Sequence, residues 1–166
     1  MRIIFLAAGK GKRIFKYFKI NKPLIKIGNL SLLENLILGA RDYTKKKISV
    51  IVGYKKKNIL IALKDYTNIE FIDNKKFGTT DMVHSLIMGL EKYNDNMLFS
   101  YSDVIYEKNI FKKIIKNENK HIIIPYLKDW KKIWEIRKKN IFQDAETFSY
   151  SKQKYLKDIG KRIKNK

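Results

Sequence analysis

Short apolar runs alternate along the chain with segments whose apolar residues recur at helical spacing. Within these runs polar residues do not occupy every second position, which is typical of strands that are covered on both faces. Between them, segments such as Leu32 to Ala40 place apolar residues three and four apart, as one face of a helix does. The alternation predicts an α/β fold, a Rossmann-like three-layer α/β/α arrangement with a mainly parallel sheet. The predicted strands are residues 2–7, 48–52, 69–72, 97–101 and 121–126.

Polar residues mark the predicted helix starts. Ser31 with Glu34 three residues later forms a capping-box pattern, and Thr80 or Asp81 is placed to cap a later helix. Further helices are predicted over residues 58–66 and 110–115. From Lys128 onward the pattern weakens. The sequence therefore predicts a core domain over residues 1–127 and a partial extension with a basic tail over residues 128–166.

The amino-acid composition excludes several kinds of functional site. The chain has no cysteine, which excludes disulfides, thiolate metal sites and cysteine nucleophiles. That absence is compatible with a reducing compartment, and we expect a cytoplasmic protein. No apolar run approaches the ~20 residues of a membrane span, so no membrane span is expected.

The formal net charge of +21 has two interpretations. A basic protein can bind nucleic acid, but such binders concentrate their charge on one surface. Here lysine accounts for most of the 37 basic residues and is spread along the whole chain. We therefore favour a compositional bias and expect no nucleic-acid partner. The positive field would still attract a phosphorylated small molecule.

A glycine-rich loop follows the first predicted strand, with the sequence Leu-Ala-Ala-Gly-Lys-Gly-Lys-Arg at residues 6–13. Glycines let the backbone approach a phosphate and direct amide N–H groups at it. The loop is neither a Walker A loop nor a dinucleotide fingerprint. An ordinary strand-to-helix turn is the alternative. The candidate nucleotide-binding residues here are Leu6, Ala7, Ala8, Gly9 and Gly11.

The wider sequence resembles the sugar-nucleotide-type nucleotidyltransferases, the MobA-like NTP transferase domain. The resemblance rests on the loop at residues 6–13, on Lys22-Pro23-Leu24, on residues 74–86 and on residues 100–106. Within that family it is similar to bacterial phosphocholine and phosphoglutamine cytidylyltransferase-like proteins. Asn21 stands where the family has proline, and Asp81 replaces an asparagine. Relative to the family the chain looks shortened at its C-terminus, and we expect its turnover to be weak.

The resemblance implies transfer of a nucleoside monophosphate, with CMP favoured, from a nucleoside triphosphate to a small phosphorylated acceptor. Pyrophosphate would be released, and the product would serve surface polysaccharide decoration. Arg13, Lys22 and Asp103 would be the catalytic residues, with Asp103 holding Mg²⁺. A sugar-1-phosphate nucleotidylyltransferase that uses another base, and a non-catalytic basic module that binds nucleotides or nucleic acid, are the alternatives. The sequence does not define the oligomeric state, and a homodimer is compatible with it.

Several candidate residues have a simpler structural interpretation beside the functional one. Asp103 could instead cap a helix. Thr80, Asp81 and Ser85 would contact the nucleotide or only cap and support the helix that follows them. Trp130 and Trp134 could recognise a quaternary ammonium group, although their spacing also fits a core-facing helical stripe. In the same extension, a solvated turn is the alternative to an acceptor site for Asp144 and Glu146.

Overall fold

The computed structural model describes most of the chain. The described residues are 1–15, 17, 19–107, 109–117, 122–137, 142 and 145–162, without the side chains of residues 13, 15 and 137. The chain divides into two compact units, Met1–Ile123 and Ile124–Lys166. Among the described residues, no helix combines the length and the apolar character that crossing a membrane requires.

A parallel sheet forms the centre of the first unit. Its strands stand in the order β5-β4-β1-β6, and each neighbouring pair is parallel. This arrangement confirms the predicted α/β fold with a mainly parallel sheet. The strands are β1 (Arg2–Ala7), β4 (Ile48–Val52), β5 (Ile69–Asp73) and β6 (Met97–Tyr101), and a small antiparallel pair is formed by β2 (Lys26–Ile27) and β3 (Leu30–Ser31).

Helices connect these strands. The described helices of the first unit are α1 (Lys12–Phe15), α2 (Leu32–Ala40), α3 (Lys56–Ala62), α4 (Met82–Lys92) and α5 (Ile110–Ile115), with short 3₁₀ turns at Lys22–Leu24 and Arg41–Tyr43. The predicted capping box is confirmed, because Ser31 Oγ accepts from the Glu34 backbone and the Glu34 carboxylate accepts from the Ser31 backbone. Helix α3 begins and ends earlier than predicted. Lys55 precedes it with a left-handed backbone.

The sheet is covered on both faces. Alternate residues of a strand point to opposite faces, so β1 contributes Ile3 and Phe5 to one core and Ile4 to the other. Helices α2, α3 and α5 pack on the first face through residues such as Leu33, Ile59 and Phe111. Helix α4 packs on the second through Met88. The result is the predicted three-layer arrangement.

The predicted strand over residues 121–126 is wrong where the structure describes it. Residue 121 lies outside the described residues, and residues 122–126 have no regular secondary structure. A strand of isoleucines is stable when neighbouring elements cover its faces. Here Ile122 is 84% exposed and Ile124 is 48% exposed.

The second unit contains one described helix and a hairpin. Helix α6 covers Trp130–Arg137, and β7 (Glu146–Tyr150) pairs in antiparallel fashion with β8 (Leu156–Arg162). Residues 160–162, near the end of the predicted extension and basic tail, belong to β8, in which Arg162 pairs with Glu146 of β7. Gly160 adopts a φ of 90°, a left-handed conformation that glycine permits.

A polar cluster closes the amino edge of the sheet. Arg2 Nε lies 3.0 Å from Asp95 Oδ2, and its Nη1 lies 2.6 Å from Glu70 Oε1. Its guanidinium also lies 3.7 Å from the centroid of the Tyr93 ring. Hydrogen bonds from Lys46 and Arg2 lower the pKa of Asp95. The cluster thus links β1, β5 and the end of α4.

Within this cluster, burial raises the pKa of Glu70, but hydrogen bonds from Tyr93 and Ser49 and the nearby charge of Arg2 outweigh burial. The pKa of Glu70 therefore lies below its ordinary value of 4.5. A carboxyl whose pKa is lowered by folding stabilises the native state above its unfolded pKa. That contribution is lost as the pH falls through the folded pKa.

We predict that the free energy of unfolding decreases as the pH drops below 4.5, and that Glu70→Gln makes this decrease shallower. Urea unfolding followed by circular dichroism across a pH series measures both. Glu91→Gln, at an exposed glutamate of α4, is the control and should leave the slope unchanged. A Glu70→Gln profile parallel to that of the wild type would contradict the prediction.

Two helical glycines provide a matched test of packing between helix and sheet. A Cβ at Gly89 would lie 2.7 Å from Phe99 Cε1 and 3.1 Å from Ile4 Cδ1. Among the described residues, a Cβ at Gly39 would meet only Phe111, at 3.7 Å. We predict that Gly89→Ala destabilises the fold by about 1–3 kcal/mol through overpacking. Gly39→Ala should instead stabilise it by up to about 1 kcal/mol through helix propensity. Thermal unfolding of both variants measures these changes in stability. Equal changes in Tm for the two variants would refute the packing argument.

Candidate functional site

The strand order places a crevice at the carboxyl edge of the sheet. From β1 the chain proceeds to β4 and β5 on one side, and then crosses to β6 on the other side of β1. In open α/β sheets ligands bind outside the carboxyl ends of the strands, where the order reverses. That reversal lies between β1 and β6. Leu6 and Tyr101 are paired in register there, so the segments that follow both strands emerge side by side.

The glycine loop leaves β1 at this crevice. A Cβ at Gly9 would meet no atom of the described residues within 4 Å, so that part of the structure leaves space beside this glycine. Gly11 adopts a φ of 60°, and a Cβ there would lie 3.3 Å from Lys22 Cβ. The loop thus lies directly against the turn that carries Lys22. The Ala8 carbonyl, at the start of the loop, accepts a hydrogen bond of 3.1 Å from the Tyr54 amide.

Lys22 and Asp103 form an ion pair across this crevice, between Lys22 Nζ and Asp103 Oδ2. The Lys22 side chain is 35% exposed and that of Asp103 is 24% exposed, so both groups remain within reach of a ligand. The 3₁₀ turn at Lys22–Leu24 holds the lysine, with Pro23 buried beneath it. The structure thus brings together two residues that are distant in the sequence.

Asp103 does not cap a helix. The N-cap of α5 is Asn109, well beyond Asp103, so the alternative role considered for this aspartate is not realised. The neighbouring Ser102 is buried, and its Oγ donates a 2.7 Å hydrogen bond to the Leu6 carbonyl. Ser102 therefore fixes the segment after β6 to the end of β1. This serine was not singled out from the sequence, although a small polar residue between a strand and an aspartate was a visible signal.

The segment between β5 and α4 is organised by its own hydrogen bonds. Asn74 is 1% exposed and its Nδ2 donates to Ser85 Oγ at 3.0 Å, so Ser85 is buried against this asparagine. Asp81 Oδ1 accepts from the backbone amides of Val83 and His84, which makes it the N-cap of α4. Thr80 Oγ1 donates to the Lys76 carbonyl at 2.8 Å. These contacts support the structural interpretation of each residue, and nucleotide contact by Thr80, Asp81 and Ser85 stays a prediction.

Close packing joins this segment to the glycine loop. A Cβ at Gly53 would lie 2.6 Å from Phe77 Cβ and 3.0 Å from Ala8 Cβ, so only glycine fits between them. Lys10 Nζ lies 5.8 Å from the centroid of the Phe77 ring, a cation–π distance. Gly53, Phe77 and Asn74 thus set the relative positions of three loops. Gly53 and Phe77 had been given no site role from the sequence.

The remaining predicted residues belong to the second unit or have side chains outside the described structure. Arg13 is part of α1, but its side chain lies outside the described structure, as does the whole of Asp144. Trp130 and Trp134 belong to α6 in the second unit, where their rings meet edge to face at 6.2 Å. Both are half-buried. Glu146 is an exposed residue at the start of β7.

A divalent metal would find a limited set of protein ligands in this crevice. Among the described residues, no three His, Cys, Asp or Glu side chains cluster so that they could hold a metal ion. Mg²⁺ does not need such a cage, because it binds through one or two carboxylates together with substrate phosphates and water. Asp103, partly exposed at the crevice, fits that mode.

The parallel sheet, the glycine loop at its carboxyl edge and the Lys22–Asp103 pair define an α/β domain of the nucleotide-binding class. The family model of the MobA-like NTP transferase domain matches residues 3–162. The chain belongs to this family.

Individual relatives and solved structures agree with the family. The chain is 28% identical to the CTP:phosphoglutamine cytidylyltransferase of Campylobacter jejuni, over 98% of this chain and 66% of that protein. It is 26% identical, with a TM-score of 0.53, to the CTP:phosphocholine cytidylyltransferase of Streptococcus pneumoniae, over 61% and 44% of the two chains. A nucleotidyl transferase of Methanothermobacter shares the fold, with a TM-score of 0.60 at 15% identity over 69% and 56%. The chain thus spans less than two thirds of these proteins.

Proposed function

We propose that this protein transfers a nucleoside monophosphate from a nucleoside triphosphate to a small phosphorylated acceptor and releases pyrophosphate. The observation that carries the proposal is the Lys22–Asp103 pair beside the glycine loop, at the crevice between β1 and β6. Membership of the MobA-like NTP transferase family supports it. The favoured nucleotide is CTP, because two of the similar proteins are cytidylyltransferases.

The reaction is an in-line displacement at the α-phosphorus. An oxygen of the acceptor's phosphate forms a bond to that phosphorus, the bond to the bridging oxygen of the β-phosphate breaks, and pyrophosphate leaves with the electron pair. The attacking phosphate is already ionised, so no general base is needed. Catalysis then depends on positioning and on neutralising negative charge.

The residues at the crevice suit both tasks. The amides of Gly9 and Gly11 would face the triphosphate, a role that the family resemblance implies and that the left-handed backbone of Gly11 permits. Lys22 would stabilise charge on the α-phosphate and the leaving pyrophosphate, together with Arg13. Asp103 would hold Mg²⁺, which when bound neutralises phosphate charge. The role of the product in surface polysaccharide decoration is part of this proposal and rests on the family resemblance alone.

A screen for pyrophosphate release tests the proposal. It combines CTP, UTP, GTP and ATP with a panel of phosphorylated amino acids, amino alcohols and sugar 1-phosphates, with and without Mg²⁺. We expect release with CTP and a non-sugar acceptor. Release only with a sugar 1-phosphate would favour the sugar-nucleotide alternative. No release under any condition, together with salt-dependent binding to oligonucleotides, would favour the non-catalytic alternative.

We predict that Asp103→Asn lowers Mg²⁺-dependent pyrophosphate release by about a hundredfold or more while the protein stays folded. The amide removes the charged metal ligand but keeps the shape of the side chain. Asp65→Asn, at an exposed aspartate after α3, is the matched control and should keep normal activity. Circular dichroism verifies the fold. Near-normal release by folded Asp103→Asn protein would refute the assignment.

We predict that Lys22→Ala and Arg13→Ala each lower kcat/KM more than about tenfold, a loss of ~1.4 kcal/mol of transition-state stabilisation. Lys10→Ala and Lys12→Ala should have smaller effects, since Lys10 contacts Phe77 and both positions vary in the motif. Steady-state kinetics of the four variants measure this. Equal losses at all four positions would mean that the loop acts only through diffuse positive charge.

A further inference from the structure

Asn21 has an unusual side-chain environment for a buried amide. It is 3% exposed, and its Nδ2 donates a 2.8 Å hydrogen bond to the Tyr54 carbonyl. Its Oδ1 is buried and has no hydrogen-bond partner among the described residues. The Tyr54 carbonyl can only accept, so the amide nitrogen must face it and the oxygen must point elsewhere.

Local structure does not explain this asparagine. Asn21 is the N-cap of the 3₁₀ turn at Lys22–Leu24, a position where asparagine usually caps the turn with its side-chain oxygen. Here the side chain makes no capping bond. A buried acceptor without a partner costs free energy, which an apolar side chain of the same shape would avoid. The cost of the unpartnered oxygen offsets part of what the bond to the Tyr54 carbonyl contributes to stability.

The side-chain hydrogen bond of Asn21 to Tyr54, its only one among the described residues, joins two parts of the crevice. The Tyr54 amide donates to Ala8 at the start of the glycine loop, and the Tyr54 carbonyl accepts from Asn21. A single residue thus links the glycine loop to the turn that holds Lys22. Asn21 immediately precedes Lys22, whose ammonium pairs with Asp103.

We propose that Asn21 is a positioning residue, which uses its Nδ2–Tyr54 bond to hold Lys22 against the glycine loop and Asp103. The proposal rests on the proposed function for its kinetic consequence. Its structural consequence, the placement of the Lys22 ammonium, does not depend on that function. Asn21 itself needs no contact with the substrate.

Asn21→Leu is the informative variant, because leucine keeps the approximate volume and removes both the donor and the unpartnered acceptor. We expect its Tm to stay within a few degrees of the wild type, while kcat falls by about tenfold or more because Lys22 is misplaced. KM for the nucleotide should change little. In a Lys22→Ala background, Asn21→Leu should cause no further loss, since it acts through Lys22.

Asn35→Leu is the matched control. Asn35 also donates from Nδ2 to a backbone carbonyl, that of Ser31 at 2.9 Å, but it lies in the first turn of α2 and not in the crevice. We expect its kcat to equal that of the wild type. If Asn21→Leu and Lys22→Ala reduce kcat additively, or if Asn21→Leu lowers Tm strongly and leaves kcat intact, Asn21 is structural and the proposal fails.

A second measurement does not need turnover. Reductive methylation followed by mass spectrometry reports how fast the Lys22 ammonium is labelled, with exposed Lys57 as the internal reference. Asp103→Ala removes the carboxylate that pairs with Lys22, and Asp103→Asn removes only its charge, so these two variants calibrate the released state. We expect Asn21→Leu to raise the relative labelling of Lys22 several-fold, as Asp103→Ala does. Unchanged labelling would overturn the positioning role, whereas absent pyrophosphate release by the wild type would overturn only the proposed function.

Discussion

The central strand β1 is the element on which the rest of the structure depends. Ile3, Ile4 and Phe5 are fully buried, and the strand has parallel partners along both edges. Because parallel strands end at the same edge, the register of Leu6 with Ile51 and Tyr101 brings three loops together. The glycine loop, the turn at Tyr54 and the segment of Asp103 are neighbours for this reason. The crevice is therefore a consequence of how the core is paired.

Much of this fold follows from local sequence patterns. Apolar runs identified β1 and β4 because both faces of those strands are buried, and Ser31 indicated the start of α2 through its capping box. The hairpin of β7 and β8 escaped detection because most of its residues are exposed, so its strands carry polar residues and no apolar run. The strand predicted over residues 121–126 is wrong for the opposite reason. Their apolar character suggested a buried strand, but burial depends on neighbours that a local pattern does not reveal.

The candidate site was only partly predictable for a related reason. The family motifs singled out Lys22 and Asp103, yet their direct contact depends on how two loops of distant sequence meet. For Ser85, in contrast, the motif suggested a functional contact where the structure shows a supporting one. Ser85 lies in a motif that suggested nucleotide contact, and its hydroxyl is buried against Asn74. A polar residue in a motif can act by supporting a loop, and only the packing around it distinguishes the two roles. The hydrogen bond from Asn21 to Tyr54 could not be predicted from any motif or spacing in the sequence.

The two edges of the sheet use charge in different ways. At the amino edge Arg2 is shared between Glu70 and Asp95 and stacks on Tyr93, so several bonds would have to break before any one group could leave. At the carboxyl edge the Lys22–Asp103 pair consists of two groups that each remain partly exposed. Exposed pairs typically contribute only about 0.2–1 kcal/mol.

The weakness of the Lys22–Asp103 pair suits the proposed reaction. In that reaction Lys22 would exchange the carboxylate for phosphate oxygens at little cost, and Asp103 would be released to bind a cation that accompanies the phosphates. An equally strong network in the crevice would hold both groups away from a ligand. On this proposal, the ion pairs at the amino edge would keep the sheet fixed, while the weaker pair at the carboxyl edge would let the groups proposed for catalysis change partners.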